Sequence, residues 1–269
     1  VLNAKNITPK FGTELEPGIQ LIELSDAALI ELQQLAAERG IVVVRDQNMT
    51  QEQQADFAHR LGEPLLKPNA PEGMRQELIP IKADGNSKYA AGELWHSDVS
   101  NEPEPPGLSM LRIEVTPSAG GDTLFADMYQ AFEKLSEPLQ RLILGLTANH
   151  TPRAHYLYTS GAKKYDELPT TAHPMVRVHP LTQRRALFVN EGFVSNINGL
   201  RAFESRAILR MIYDHVAYAV NIQCRVRWAP NTVVFWDNRC VQHYASFDYF
   251  PETRLGYRIT IRGERPVPA

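Results

Sequence analysis

Cysteine is nearly absent: Cys224 and Cys240 are the two in 269 residues. That scarcity excludes the disulfide framework of a small secreted domain and any four-cysteine zinc site, and makes the cytoplasm the expected compartment. Long apolar runs are missing too. No stretch approaches the roughly 18 residues a membrane span needs, and Val1 to Pro17 carries no apolar core of a secretory signal. Nor is there a basic excess: 28 Lys plus Arg stand against 31 Asp plus Glu, a net charge of -3. The chain therefore offers no electrostatic footprint for nucleic acid or an anionic membrane. A Gly-rich phosphate loop with its lysine, a Gly-x-Ser-x-Gly elbow, a Cys-x-x-Cys pair, internal repeats and low-complexity tracts are all lacking. What remains, 43% hydrophobic and 22% charged residues, is the composition of a globular protein with a sizeable core.

The first 64 residues read as helix, strand, helix. Ser25-Asp26 precedes apolar residues spaced by three and four (Leu29, Leu32, Leu35, Ala36), and Gly40 marks the end. Ile41 to Val44, mostly β-branched, reads as a strand buried on both faces. Thr50 to Gln53 fits a capping box opening a helix through Phe57 and Leu61. Lys67 to Tyr89 reads as rim loops around a short strand at Glu77 to Lys82. Further strands are expected at Leu108 to Val115, Thr123 to Ala126, Ala186 to Val189, Cys224 to Trp228, Thr232 to Trp236 and Arg258 to Arg262. Helical spacing covers Met128 to Gly145, broken at Pro138, and Phe203 to Tyr218. Many short strands with few helices fit a sandwich or barrel carrying helices outside it. Residues 147 to 180, with four prolines and no sustained period, read as a lid or insertion.

Three segments carry chemistry. In Trp95-His96-Ser97-Asp98-Val99, a strand reading puts His96 and Asp98 on one face, about 6.6 Å apart at the Cα atoms, a spacing that lets imidazole and carboxylate meet one cation. The second segment, Asn231 to Ala245, runs a β-branched strand into an Asp- and Asn-rich turn and delivers His243, 145 residues after Asp98. Two histidines and one carboxylate on one face of an octahedral ion are the ligand set of non-haem Fe(II) oxygenases; the bland alternative for His243 is a satisfied, partly buried histidine. The third segment, Arg254 to Arg262, alternates strictly. Leu255, Tyr257, Ile259 and Ile261 share one face, and Arg254, Gly256, Arg258, Thr260 and Arg262 share the other. Such a face either meets bound anions, which a guanidinium grips in paired hydrogen bonds, or is the exposed face of an edge strand. Arg254 and Arg258 would lie about 13 Å apart, far enough to hold two anions.

Taken together these segments resemble the taurine dioxygenase and phenoxyacetate dioxygenase family of Fe(II)- and 2-oxoglutarate-dependent oxygenases. The match is ordered along the chain: Trp95 to Val99, Gly120 to Leu124, Phe188 to Phe193, Trp236 to Arg239 with His243 to Ala245, and then Arg254 and Arg258, 11 and 15 residues after His243. The resemblance implies a mainly β fold with flanking helices (α+β), a double-stranded β-helix or jelly roll of the cupin kind, formed by residues 1–269 as one domain. It implies Fe(II) held by His96, Asp98 and His243, with 2-oxoglutarate and O2 as cosubstrates. The far carboxylate of 2-oxoglutarate would meet Arg254 and Thr123. Arg258 would receive a substrate anion, and Phe193 would form an apolar wall of the substrate pocket. A homo-oligomer, dimer or tetramer, is implied as well.

The sequence departs from the taurine-cleaving branch at two points. Lys67 stands where those members carry a histidine, and is either a further contact for the substrate anion or a solvated rim lysine. Gly92 stands where they carry a polar asparagine. The expected reaction is hydroxylation of a small organic anion beside its heteroatom, giving succinate and CO2 from 2-oxoglutarate, after which the product fragments. An alkylsulfonate or alkyl sulfate is favoured because Phe188 to Phe193 resembles the taurine branch most. The alternatives are an aryloxyalkanoate substrate, a non-catalytic 2-oxoglutarate and metal sensor, and a zinc hydrolase, which leaves Arg254 unexplained. His150, His155, His173 and His179 lack paired ligand spacing and are read as structural; Trp236 and Asp237 are read as shaping the strand that leads to His243.

Overall fold

In the computed structural model the described residues are 2–66, 72–152 and 164–269. Strands β1 (Ala4–Asn6) and β2 (Thr13–Leu15) precede helix α1 (Asp26–Arg39), whose Ala28 N–H donates to the Ser25 hydroxyl. Next come β3 (Ile41–Val44), buried throughout, and α2 (Gln51–Leu61), which opens on the reciprocal Thr50–Gln53 cap the sequence calls for. The chain continues through β4 (Ile79–Ala83), β5 (Leu108–Val115) and β6 (Thr123–Asp127) to two short helices, α3 (Met128–Glu133) and α4 (Glu137–Leu144). Then follow β7 (Thr147–His150), β8 (Thr171–Pro174), β9 (Val176–Val178), β10 (Arg185–Leu187) and β11 (Val194–Ile197). The longest helix, α5 (Ala202–Tyr218), precedes β12 (Gln223–Val226), β13 (Thr232–Asp237), β14 (Val241–Ala245), β15 (Arg254–Thr260) and β16 (Val267–Pro268).

Seven strands form the large sheet, in the order β1, β2, β3, β13, β5, β15, β4. The pair β2–β3 is parallel and the other pairs are antiparallel. Side chains alternate across it, so each face packs against something different. On one face Val42, Val44, Met110, Val233, Phe235 and Ile259 pack under α1 and α2 with Leu32, Ala36 and Phe57. On the other, Ile41, Val43, Leu111, Ile113, Val234 and Trp236 meet Phe125 and Val241 of the smaller sheet β12-β6-β14. Each large side chain so buried contributes roughly 1.5–3 kcal/mol. Strand β15, which carries the arginines, is not at an edge: β5 flanks it on one side and β4 on the other. The buried cavity, rather than solvent, is what its polar face meets.

Several expectations need correcting. Pro138 does not interrupt one helix but stands in the first turn of α4, where its missing N–H costs nothing, after a break at residues 134–136. The last of the expected strands begins at Arg254, four residues earlier than Arg258. Residues 147–180 are not a strandless connection: β7 and β8 pair with each other, and β7 with β11, in a small sheet. Apolar alternation failed to announce these strands because Asn149, His150 and His173 point into hydrogen bonds with Asn196, Ser100 and the Glu102 carbonyl. Within that stretch, residues 153–163, including His155, lie outside the described residues.

Candidate metal and anion site

His96 is not on a regular strand. It forms an isolated antiparallel bridge with His243 of β14, the two residues exchanging both backbone hydrogen bonds at 3.1 and 2.8 Å, while Asp98 sits in the following turn. That pairing, rather than an extended His-x-Asp segment, brings the imidazoles together with ring centroids 4.1 Å apart. Both Nε2 atoms lie 3.9 Å from Asp98 Oδ1, and one potential ligand atom from each of the three residues falls within 4.8 Å of the others. The His96 Nδ1–H donates to the Leu94 carbonyl at 2.7 Å, which fixes the tautomer and leaves the Nε2 lone pair facing Asp98. Burial lowers the pKa of both histidines, that of His243 furthest, so both are neutral and able to ligate. Burial would raise the Asp98 carboxyl, but Arg258 foremost, with the Ser109 hydrogen bond, holds it well below the carboxylate range. The donor set fits a divalent transition metal with open positions.

Asp98 is held from behind. Its Oδ2 accepts from Ser109 Oγ at 2.7 Å and Trp236 Nε1 at 3.1 Å, and its backbone N–H donates to Asn238 Oδ1 at 3.0 Å. Asn238 Nδ2 in turn donates to Ser109 Oγ at 2.8 Å. Trp236 therefore does more than shape its strand. Ser109 and Asn238 were missed in the sequence, although a serine inside the apolar run of β5 was a usable signal. Gly192 packs against the same histidine: an added Cβ would lie 2.7 Å from the Cβ of His96. Phe193 stands beside that ring, centroids 6.5 Å apart, and lines the cavity.

Arg254 is 4% exposed and donates to Thr123 Oγ1 at 3.3 Å, the same oxygen that accepts Trp228 Nε1 at 3.0 Å. No carboxylate pairs with it among the described residues, its Nε has no partner, and burial pulls its pKa down. A buried guanidinium left in this state calls for an anion, so these residues fit a bound dicarboxylate. The approach to Thr123 uses Gly120 and Gly121 at φ 80° and 71°; the Gly121 N–H donates to Asp248 Oδ1 at 2.7 Å, and a side chain at Gly120 would meet that oxygen at 2.6 Å.

The metal ligands, Thr123, Arg254 and Arg258 line one cavity of about 840 Å³. Away from the metal ligands its lining mixes apolar residues, among them Leu65, Ile79 and Ile81, with charged ones, among them Glu63, Lys82 and Glu102, and Gly92 contributes no polar side chain beside His96. Arg258 donates through Nη1 to Asp98 Oδ1 at 2.5 Å, the oxygen that faces both histidines. Lys67 lies outside the described residues.

A second trio, His179, Asp237 and Cys240, also gathers ligand-type atoms within 4.8 Å. It is already saturated. His179 Nδ1 accepts the Leu181 and Thr182 N–H groups, which leaves its Nε2–H to donate to Asp237 Oδ2 at 3.1 Å, while Arg239 donates to both oxygens of that carboxylate. Burial pushes the Cys240 thiol well above its usual value. This network fixes the turn between β13 and β14, three residues before His243.

The fold and site define a class: mainly β proteins with flanking helices and a mononuclear His–Asp–His centre beside a buried arginine. Comparison makes this specific. The model of the taurine catabolism dioxygenase TauD, TfdA family matches residues 3–260, and the chain belongs to that family. It is 37% identical to an alpha-ketoglutarate-dependent sulfonate dioxygenase of Saccharomyces cerevisiae, over 99% of this chain and 68% of that protein. Identity is 34% with an alpha-ketoglutarate-dependent sulfate ester dioxygenase of Pseudomonas putida, over 99% and 91%. A crystal structure of a taurine dioxygenase from Burkholderia xenovorans superposes with a TM-score of 0.85 at 31% identity, over 99% of this chain and 93% of that one. The chain is thus a 2-oxoglutarate-dependent dioxygenase, whose class uses Fe(II), 2-oxoglutarate and O2.

Proposed function

We propose that this dioxygenase hydroxylates an alkylsulfonate or alkyl sulfate at the carbon bearing the sulfur or ester oxygen, after which the product breaks down to an aldehyde with sulfite or sulfate. The observation that carries the reading is the spacing of two differently committed arginines on β15: Arg254, buried without a carboxylate, and Arg258, beside the metal carboxylate at the cavity wall. In this reading His96, Asp98 and His243 hold Fe(II), which, with 2-oxoglutarate and O2 bound, supplies the oxidant for an unreactive C–H bond. Arg254 and Thr123 hold the far carboxylate of 2-oxoglutarate and so orient it. Arg258 receives the substrate anion, fixing which carbon faces the centre, and Phe193 excludes water from that side. Leu65, Ile79 and Ile81 in the cavity lining support a substrate with an aliphatic body. We further read the facing sheets as a jelly roll, and residues 1–269 as one domain built around it.

The test is succinate release from 2-oxoglutarate with Fe(II) and O2 across alkylsulfonates, alkyl sulfates, taurine and aryloxyacetates, with the organic product identified. Stimulation by sulfonates or sulfates, abolished by His96→Ala, Asp98→Ala or His243→Ala, is the expected result. Stimulation by aryloxyacetates alone would overturn the substrate reading, and full activity in a ligand variant would overturn the site.

A further inference from the structure

Thr260 is the last residue of β15 and shares its cavity-facing side with Arg258. It is 2% exposed, yet its hydroxyl has no hydrogen-bond partner. The residue opposite on β5 is Ser109, whose own hydroxyl is committed to Asp98 and Asn238. Nothing on the neighbouring strand therefore takes the threonine. A valine would fill the same space without burying an unpaired hydroxyl, so the threonine costs stability unless a ligand completes it. Arg258, two residues before it on the same strand face, is unfinished as well. With Nη1 on Asp98, its Nε is buried and unpartnered, and no partner faces Nη2 among the described residues. The Nε–Nη2 edge is the fork with which a guanidinium grips an anion through two parallel bonds.

We propose that Thr260 is a substrate-binding residue, its hydroxyl donating to the anionic group held by the free edge of Arg258. This rests on the reading of Arg258 given above and goes beyond it, because it explains discrimination between anions. A sulfonate or sulfate ester presents three equivalent terminal oxygens. The guanidinium edge takes two, and the Thr260 hydroxyl takes the third. A carboxylate gripped by the same edge has both of its oxygens on Arg258 and no third oxygen to present to Thr260.

The experiment is calorimetric binding of 1-hexanesulfonate, hexyl sulfate and heptanoate to the full chain loaded with Mn(II) and 2-oxoglutarate, for wild type, Thr260→Val, Thr260→Ser and Arg258→Gln. In Thr260→Val, Kd for the sulfonate and sulfate rises about tenfold, the worth of one hydrogen bond to a charged group, and Kd for heptanoate changes less than about twofold. Its Tm holds or rises, since an unpaired hydroxyl has become a methyl, and Thr260→Ser restores binding. Arg258→Gln weakens all three anions. Unchanged sulfonate affinity in Thr260→Val, with affinity lost in Arg258→Gln, would overturn the proposal alone. A clear fall in the Tm of Thr260→Val that serine repairs without any selective loss of sulfonate would also overturn it, as the mark of a structural threonine. Should Arg258→Gln leave all three affinities intact, the reading beneath the proposal falls as well.

Discussion

Ser109→Ala tests how the metal carboxylate is held. The substitution removes the 2.7 Å hydrogen bond to Asp98 Oδ2, leaving Trp236 Nε1 at 3.1 Å as the remaining donor to that oxygen. It also strips Asn238 Nδ2 of its acceptor. A hydrogen bond to a charged group contributes about 1.5–3 kcal/mol, and about 1.4 kcal/mol is a factor of ten. Loss of such a partner behind a metal ligand accordingly weakens metal binding by about ten- to a hundredfold. The assay is Mn(II) titration followed by calorimetry, with the Fe(II) concentration for half-maximal succinate release measured in parallel. Both should shift together, with activity largely recovered at saturating Fe(II). Thermal denaturation of the metal-free protein separates this from unfolding: Arg258 still pairs with Asp98 there, so Tm falls by no more than about 10 °C, some 2–4 °C for each kcal/mol. A metal affinity within about twofold of wild type would show that Oδ2 needs no anchoring and refute the argument.

Three further outcomes follow from the geometry. Asp237→Asn takes the bidentate carboxylate from the largely buried Arg239, leaving it Glu264 at 3.6 Å, and should cost about 1.5–3 kcal/mol, read as a fall in denaturant midpoint; an unchanged midpoint contradicts the network. Arg254→Gln should raise KM for 2-oxoglutarate at least about thirtyfold and abolish the thermal shift that 2-oxoglutarate confers, while the ligand-free Tm stays level or rises. Acid should destabilise the fold below about pH 6.5, where unfolded histidine takes up a proton. Burial lowers His150 to about 3 and His173 to about 4, so the folded state refuses that proton and stability drains away as pH falls toward 4. For His173 alone the loss is about 3 kcal/mol. A denaturant midpoint that falls less steeply from pH 7 to 4.5 in His150→Phe combined with His173→Asn than in wild type is the expected pair of curves, the buried His96 and His243 keeping a residual slope; equal slopes in the two proteins rule His150 and His173 out.

Legibility in the sequence followed local chemistry. Helices α1 and α2 were readable because Ser25 and Thr50 announce them with caps, and β3, β5 and β13 because β-branched and apolar residues cluster between breakers. The metal ligands were found through residue type and order, although the supposed strand through His96 and Asp98 is in truth a bridge and a turn. Strands β7, β8 and β11 escaped because polar residues are interleaved with their buried apolar ones: Asn149 pairs with Asn196, while buried His150 and His173 bond to Ser100 and the Glu102 carbonyl, which blurs the alternation that marks a strand. Whether the arginine face of β15 was solvent or cavity could not be read from one strand, since its neighbours β5 and β4 decide it. Asn238 reaches Asp98 and Ser109 from 140 and 129 positions away, and no local pattern encodes that hold.

Arg254, Arg258 and Thr260 sit on one continuous, internally paired strand, whereas Leu65, Leu66, Tyr89 and Ala90 at the cavity mouth come from irregular segments. A strand flanked on both sides behaves as a ruler: its marks, four residues or about 13 Å apart, cannot slide without breaking two ladders. Under the proposed roles, the offset between keto acid and substrate head is therefore built into the sheet. The mouth is under no such constraint, so changes there can lengthen or narrow the range of aliphatic tails while the distance from anion to reacting carbon stays as it was.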